Sequence, residues 1–275
     1  MHRRLLCLDL DGTLLRPDDS IATSDLLALE RARRAGVRIT IATGRMVSGA
    51  LPTARALRID VPIICADGGV IACATSGAAL ECEAMTPATV RACLVTVVEQ
   101  GLLPLLFLPD VIHGHASCRD LAPHFASWSP RMAFHDQLDA TAPLDDVVLV
   151  LALGTQRATD AAREALTGDQ GHAVDVTSFP FGADLFAVRA QPRGCAKGTA
   201  LARLAAQLVI AREDVAAVGD WLNDISMLAW AGRSFAMGHA PEIVHAAATD
   251  TLESTAAMGG GVAEAIERWL GPARS

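Results

Sequence analysis

The sequence predicts an α/β protein, a Rossmann-like parallel sheet interrupted by an inserted α+β unit. Three observations carry this. Near both ends of the chain, short apolar runs alternate with helical stretches, the rhythm of strand–helix–strand units with right-handed crossovers. Several of these runs stop abruptly at acid, hydroxyl or glycine, as in Leu5-Leu6-Cys7-Leu8-Asp9-Leu10-Asp11-Gly12-Thr13. Between them the rhythm is lost over about a hundred residues, where strands outnumber helices.

The first strand is the apolar run 5–8, reading as a buried parallel strand. Thr23 or Ser24 is placed to cap a helix reaching about residue 35, where Gly36 ends it. The β-branched run 37–42 is a second strand, closed by Thr43-Gly44-Arg45, and a short helix follows over about 46–57. The run 62–66 reads as a third strand, ending at Asp67-Gly68-Gly69. Residues 70–73 and 79–82 flank Ser76-Gly77 as a hairpin. Thr86-Pro87 opens a helix to about residue 100, with proline at its first position. Strands are expected at 103–108, 111–115, 147–153 and 173–178, helices at 120–127 and 159–166, and loop over 129–143. The α/β rhythm then returns: helix 195–208, strand 215–218, helix 225–231, strand 234–237, helix 241–248, a short strand near 251 and a helix over 262–270. The domain boundaries expected are 1–82 with 189–275 for the sheet domain and 83–188 for the insertion.

Composition narrows the function. A chain of 275 residues with 51% hydrophobic and 20% charged residues supports a substantial core. A net charge of −8 argues against non-specific nucleic-acid binding, which wants basic patches. An anionic substrate then depends on local cations, since charges beyond about 8–10 Å are screened. The seven cysteines include no C-x-x-C pair and read as small buried hydrophobes in a reducing compartment. Asp9 and Asp11 interrupt the N-terminal apolar stretch, so no signal peptide is expected, and no apolar run reaches the ~20 residues of a membrane span. The expectation is a cytoplasmic protein, monomeric or a small homo-oligomer, without membrane or nucleic-acid partners.

Asp9 and Asp11 lie two apart, so on an extended strand they point the same way. Alone, the stretch reads equally as an Asp-Gly turn. Paired acids at the mouth of a buried strand repel, unless a cation sits between them or one holds a proton. Thr43, Lys197, Asp220, Asn223 and Asp224 stand at other strand ends or helix starts. Singly, Thr43 reads as a helix N-cap, Lys197 as a solvated lysine, and Asp220 and Asp224 as acids complementing a helix dipole. Together they belong to one edge, because a parallel sheet gathers its C-terminal strand ends there. Three acids, a hydroxyl, a lysine and an amide suit Mg²⁺ and a phosphoryl group.

Asp9-Leu-Asp11-Gly-Thr13-Leu, Thr43-Gly44-Arg45, Lys197-Gly and Gly219-Asp220-Trp-Leu-Asn223-Asp224 resemble the four motifs of the haloacid dehalogenase (HAD) superfamily phosphatases, in the right order. The insertion between the second and third motifs resembles the Cof-like branch, which has a large α/β cap. The resemblance covers essentially the whole chain. It implies Asp9 as the nucleophile, forming an aspartyl-phosphate. It implies Asp11 as general acid and then base, a role wanting a raised pKa that a neighbouring carboxylate and partial burial would supply. Thr43, Gly44, Arg45, Lys197 and Asn223 would hold the phosphate. Asp9, the Asp11 carbonyl and Asp220 would hold Mg²⁺, with Asp224 supporting the metal from outside its ligand shell.

Asp67 stands where the family often has asparagine, and His239 replaces another frequent asparagine. Trp221 fills a variable position beside the fourth motif, and His113 and His115 fall on an expected strand of the insertion. The resemblance implies a Mg²⁺-dependent phosphomonoester hydrolase for a small phosphorylated metabolite of the sugar-phosphate class. Its rivals are a phosphomutase of the same superfamily and a receiver-like phosphorylation switch.

Overall fold

The computed structural model describes residues 4–169, 173–182 and 184–271. By contact the chain divides into two compact units, one made of Met1–Gly44, Thr53–Ser76 and Ala196–Ser275, the other of Arg45–Pro52 and Gly77–Cys195.

The first unit is built on a parallel five-stranded sheet. Arg4–Leu8 (β1), Val37–Ile41 (β2), Val215–Gly219 (β12), Arg233–Ala236 (β13) and Asp250–Thr251 (β14) run in the order β14-β13-β12-β1-β2. β1 pairs with both β2 and β12, Leu6 lying opposite Ile39 and Ala216. Its apolar residues are buried on both faces, as a covered parallel strand requires. The helix Thr23–Arg34 (α1) packs against Gly261–Leu270 (α9), and Lys197–Gln207 (α6) packs against Ile225–Trp230 (α7). Glu242–Ala247 (α8) packs on α7 and β13. The N-cap of α1 is Ala22, without a side-chain cap, so neither Thr23 nor Ser24 takes the expected capping role.

Ile63–Cys65 (β3), expected as a third parallel strand, joins the end of β2 through a parallel bridge from Ile64 to Ala42 and pairs antiparallel with Val70–Ala72 (β4). The reason is local. Ala66 and Asp67 take left-handed φ of 50° and 53°, so the chain reverses on itself instead of entering a crossover helix. The helix after β2, Val47–Ala56 (α2), straddles the division between the units.

The second unit holds a six-stranded sheet in the order β10-β11-β9-β6-β7-β8. Its strands are Leu103–Phe107 (β6), Ile112–His115 (β7), Met132–His135 (β8), Leu149–Gly154 (β9), Val174–Pro180 (β10) and Phe186–Pro192 (β11). The second arm of the expected hairpin, Ala79–Cys82 (β5), also falls in this unit. Pro87–Glu99 (α3) and Gln156–Asp169 (α5) cover one face of the six-stranded sheet around a core that includes Leu94, Val97, Leu106, Val150 and Val188. Thr86 caps α3 through a bond from the Thr89 amide at 3.2 Å.

Two expectations change here. Residues 129–143 are not all loop: they hold β8 and a short helix, Leu138–Thr141 (α4). β8 escapes notice because all four of its residues are only half-buried, which erases the alternation that marks a strand. The helix expected at 120–127 is a 3-10 stretch, Ala116–Phe125, with Pro123 inside it. β11 pairs with β10 over Phe186–Pro192 and with β9 over Phe186–Ala190. By contact the chain divides at 44/45, 52/53, 76/77 and 195/196.

Candidate active site

The site grows from the ends of β1 and β12 and from the start of α6. After β1 the Asp9 amide still donates to the Val218 carbonyl at 3.0 Å, which holds the residue against the neighbouring strand end. Asp9 is 5% exposed, Asp220 6% and Asp224 0%. One carboxylate oxygen from each lies within 4.8 Å of the others. Lys197, in the first turn of α6, is 1% exposed and joins two of these acids. Its Nζ donates to Asp9 Oδ1 at 2.6 Å and to Asp224 Oδ1 at 2.7 Å.

Burial, then the charges of Asp224 and Asp220, push the Asp9 carboxyl well above the usual carboxylate range, against the pull of Lys197. Asp220 is raised too, chiefly by burial. Burial pulls on the Lys197 ammonium in the opposite sense, but Asp224, Asp9 and Asp67 win and hold it above its ordinary value. The lysine therefore stays charged, beside two acids whose charged form burial disfavours.

Each acid has a distinct set of partners. Asp224 Oδ2 accepts from the amides of Asp220 and Trp221, both at 2.9 Å, while Oδ1 takes Lys197. Both its oxygens are committed to holding the loop and the lysine. Asp220 Oδ1 accepts from the Thr13 hydroxyl at 2.6 Å. Asp220 Oδ2 lies 3.3 Å from His239 Nε2. The Ala256 amide donates to His239 Nδ1 at 3.3 Å, so in the neutral ring the proton sits on Nε2, facing Asp220. Gly12 has φ +88°, and a Cβ there would strike the Asp220 carboxylate. Only glycine lets the turn after β1 come this close.

The structure brings Asp9, Lys197, Asp220 and Asp224 together. Thr43 is fully buried at the end of β2, and its amide donates to the Ile64 carbonyl at 3.0 Å. Gly44 lies against Asp67, whose Oδ1 accepts from Asn223 Nδ2 at 2.7 Å. Asp11 is exposed, not partly buried as expected: β1 ends at Leu8 and Asp11 lies in the turn that follows. Arg45 is buried and begins the segment grouped with the second unit. Trp221 is 53% exposed. His113 and His115 also belong to the second unit. There His113 Nδ1 lies 2.7 Å from His135 Nε2, and His115 Nδ1 lies 2.7 Å from Ser117 Oγ.

The sequence alone assigns no partner to Thr13, Asp67 or His239. Thr13 lies inside the first motif, and the other two are departures from the family pattern. The partners of Thr13 and Asp67 lie 207 and 156 residues away, which no local spacing reveals.

Magnesium suits this donor set. It prefers hard oxygen ligands, and Asp9 and Asp220 are carboxylates at one buried point whose mutual repulsion a divalent cation would relieve.

A parallel sheet with a buried carboxylate–lysine centre at its carboxyl edge defines an α/β enzyme-like fold of the Rossmann type. The chain belongs to the haloacid dehalogenase-like hydrolases, whose family model matches residues 6–266. It is 29% identical over 258 residues to pyridoxal phosphate phosphatase YbhA of Escherichia coli (strain K12), covering 90% of this chain and 92% of that protein. It is 30% identical over 240 residues to the HMP-PP phosphatase of Klebsiella pneumoniae (strain 342), covering 86% and 85%. A solved haloacid dehalogenase-like hydrolase from Bacteroides thetaiotaomicron superposes with a TM-score of 0.83 at 27% identity, covering 97% of this chain and 99% of that one.

Proposed function

We propose that this protein is a Mg²⁺-dependent phosphomonoester hydrolase that acts on a small phosphorylated metabolite, a sugar phosphate or a compound of similar size, through an aspartyl-phosphate. The observation that carries the reading is the Lys197 ammonium bonded to Asp9 and Asp224, with Asp220 beside them. Similarity to proteins named as phosphatases of pyridoxal phosphate and of HMP-PP supports both the reaction and the size of the substrate.

In this reading an Asp9 carboxylate oxygen attacks phosphorus and the bond to the leaving oxygen breaks. Asp11, exposed and two residues on, gives that oxygen its proton. Water then attacks the aspartyl-phosphate, Asp11 takes the water's proton, and inorganic phosphate leaves with Asp9 restored. Lys197 holds Asp9 in one orientation and offsets charge on the phosphoryl oxygens. Thr43, Gly44, Arg45 and Asn223 are assigned to phosphate binding. Asp9, the Asp11 carbonyl and Asp220 would hold Mg²⁺, with Asp224 steadying the loop behind them. The ion would neutralise charge as the phosphoryl group transfers. The insertion, 83–188, is assigned to selecting the leaving group.

Hydrolysis of a panel of phosphorylated metabolites with and without Mg²⁺ tests the reading. Asp9→Asn should lower kcat by about a thousandfold or more, and Asp11→Asn should slow both half-reactions. Near-normal Mg²⁺-dependent turnover by Asp9→Asn would remove Asp9 as the nucleophile.

A further inference from the structure

Asp67 is a buried carboxylate that the proposed chemistry leaves unused. It sits on Ala66–Gly68, a stretch wedged among three pieces of the site. The Asp67 amide donates to the Thr43 carbonyl at 3.1 Å. Gly68 lies so close to the start of α6 that a Cβ there would meet the Ala196 carbonyl. The carboxylate itself bonds Asn223 and lies 3.3 Å from where a Cβ on Gly44 would stand. Ala66 and Asp67 both hold left-handed backbone, a conformation costly for alanine and better tolerated by Asp or Asn. Strain of this kind persists where the surroundings impose it, commonly at functional sites.

A carboxylate can only accept. With Asp at 67, the Asn223 amide therefore has one favourable orientation, NH₂ toward Asp67 and carbonyl away. An asparagine at 67 offers both donor and acceptor and admits either orientation. Asp67 also adds a negative charge between Gly44 and Asn223, two residues assigned to holding a phosphate dianion. Like charges this close oppose retention of the anion.

We propose that Asp67 is a positioning residue, which fixes the Asn223 amide and through its charge loosens the site's hold on free phosphate. This rests on the phosphomonoesterase reading above. It makes product release part of what the residue at 67 controls.

The test measures inorganic phosphate binding by calorimetry in Mg²⁺ buffer, together with steady-state hydrolysis, for wild type, Asp67→Asn and Asp67→Gly. Both substitutions suit the left-handed backbone. Asp67→Asn should bind phosphate about tenfold more tightly and lower kcat and KM together, because product leaves more slowly. Asp67→Gly removes the charge and the tether at once, so it should tighten phosphate binding less and lower kcat more. A purely structural role would lower Tm without tightening binding. If neither variant binds phosphate more tightly than wild type, the proposal is overturned while the hydrolase reading stands. A wild type that binds phosphate yet hydrolyses no ester overturns the hydrolase reading, and Asp67 is then judged on the binding ratios alone. A wild type that neither binds phosphate nor hydrolyses any ester overturns both.

Discussion

Lys197 shows what a single buried charge demands. An unpaired ammonium out of water is strongly unfavourable, so the residue is tolerable only with Asp9 and Asp224 in place. The same dependence applies to the backbone at Gly12, which comes so near Asp220 that a methyl group has nowhere to go. Gly12→Ala should lower stability by about 1–2 kcal/mol from its left-handed φ alone. It should also weaken Mg²⁺ binding by displacing Asp220; a thermal melt and a metal titration check the two effects. At this scale the sequence was most legible where chemistry sits at a strand end. Asp9 and Asp220 each follow an apolar run, so their placement could be read from the run itself. The bonds from Thr13 and His239 to Asp220 could not, since each joins segments that meet only after folding.

Among elements, α9 shows how local and distant residues share the stabilisation of one helix. Its N-terminal amides have no partners within the helix, and Asp25 of α1 supplies them. The Asp25 carboxylate accepts from Gly260 at 3.0 Å and from Ala263 at 2.8 Å. Glu264 does the converse, reaching out of α9 to the amides of Glu253 at 3.1 Å and Ser254 at 3.0 Å. Burial pulls the Glu264 carboxyl up, but these amides, the Ser254 hydroxyl and Arg268 outweigh it and hold it below its ordinary 4.5. A depressed carboxyl contributes stability above the unfolded value and loses it as pH falls through the folded one. Glu264→Gln should therefore lower Tm at pH 7, and the gap from wild type should narrow as pH falls below the ordinary 4.5 and through the depressed folded value. A gap unchanged by pH would mean that packing, not the charge, is what the substitution removes. α9 itself was legible from its apolar stripe, and α3 from its Thr-Pro start. β8, β11 and the turn after β3 were not, because half-burial, late pairing and left-handed backbone leave no periodic trace.

For the whole molecule, the repulsion among the buried acids predicts that a bound cation stabilises the fold. Mg²⁺ at a hundred times its dissociation constant should add about 2.7 kcal/mol, and chelation should remove it. A Tm insensitive to both would show that the acids do not hold the ion. The parallel architecture and the interruption in it were readable from the alternation of elements.

The sheet order has a consequence for synthesis. β1 lies between β12 and β2, so β1 waits for a strand made some two hundred residues later to complete its pairing. At 5–20 residues per second that delay is roughly ten to forty seconds. Throughout it the apolar strand that leads to Asp9 is unshielded on one edge, while the segments between are already free to fold. Aggregation during translation should therefore begin at β1, and a chaperone that shelters nascent chains would engage there first.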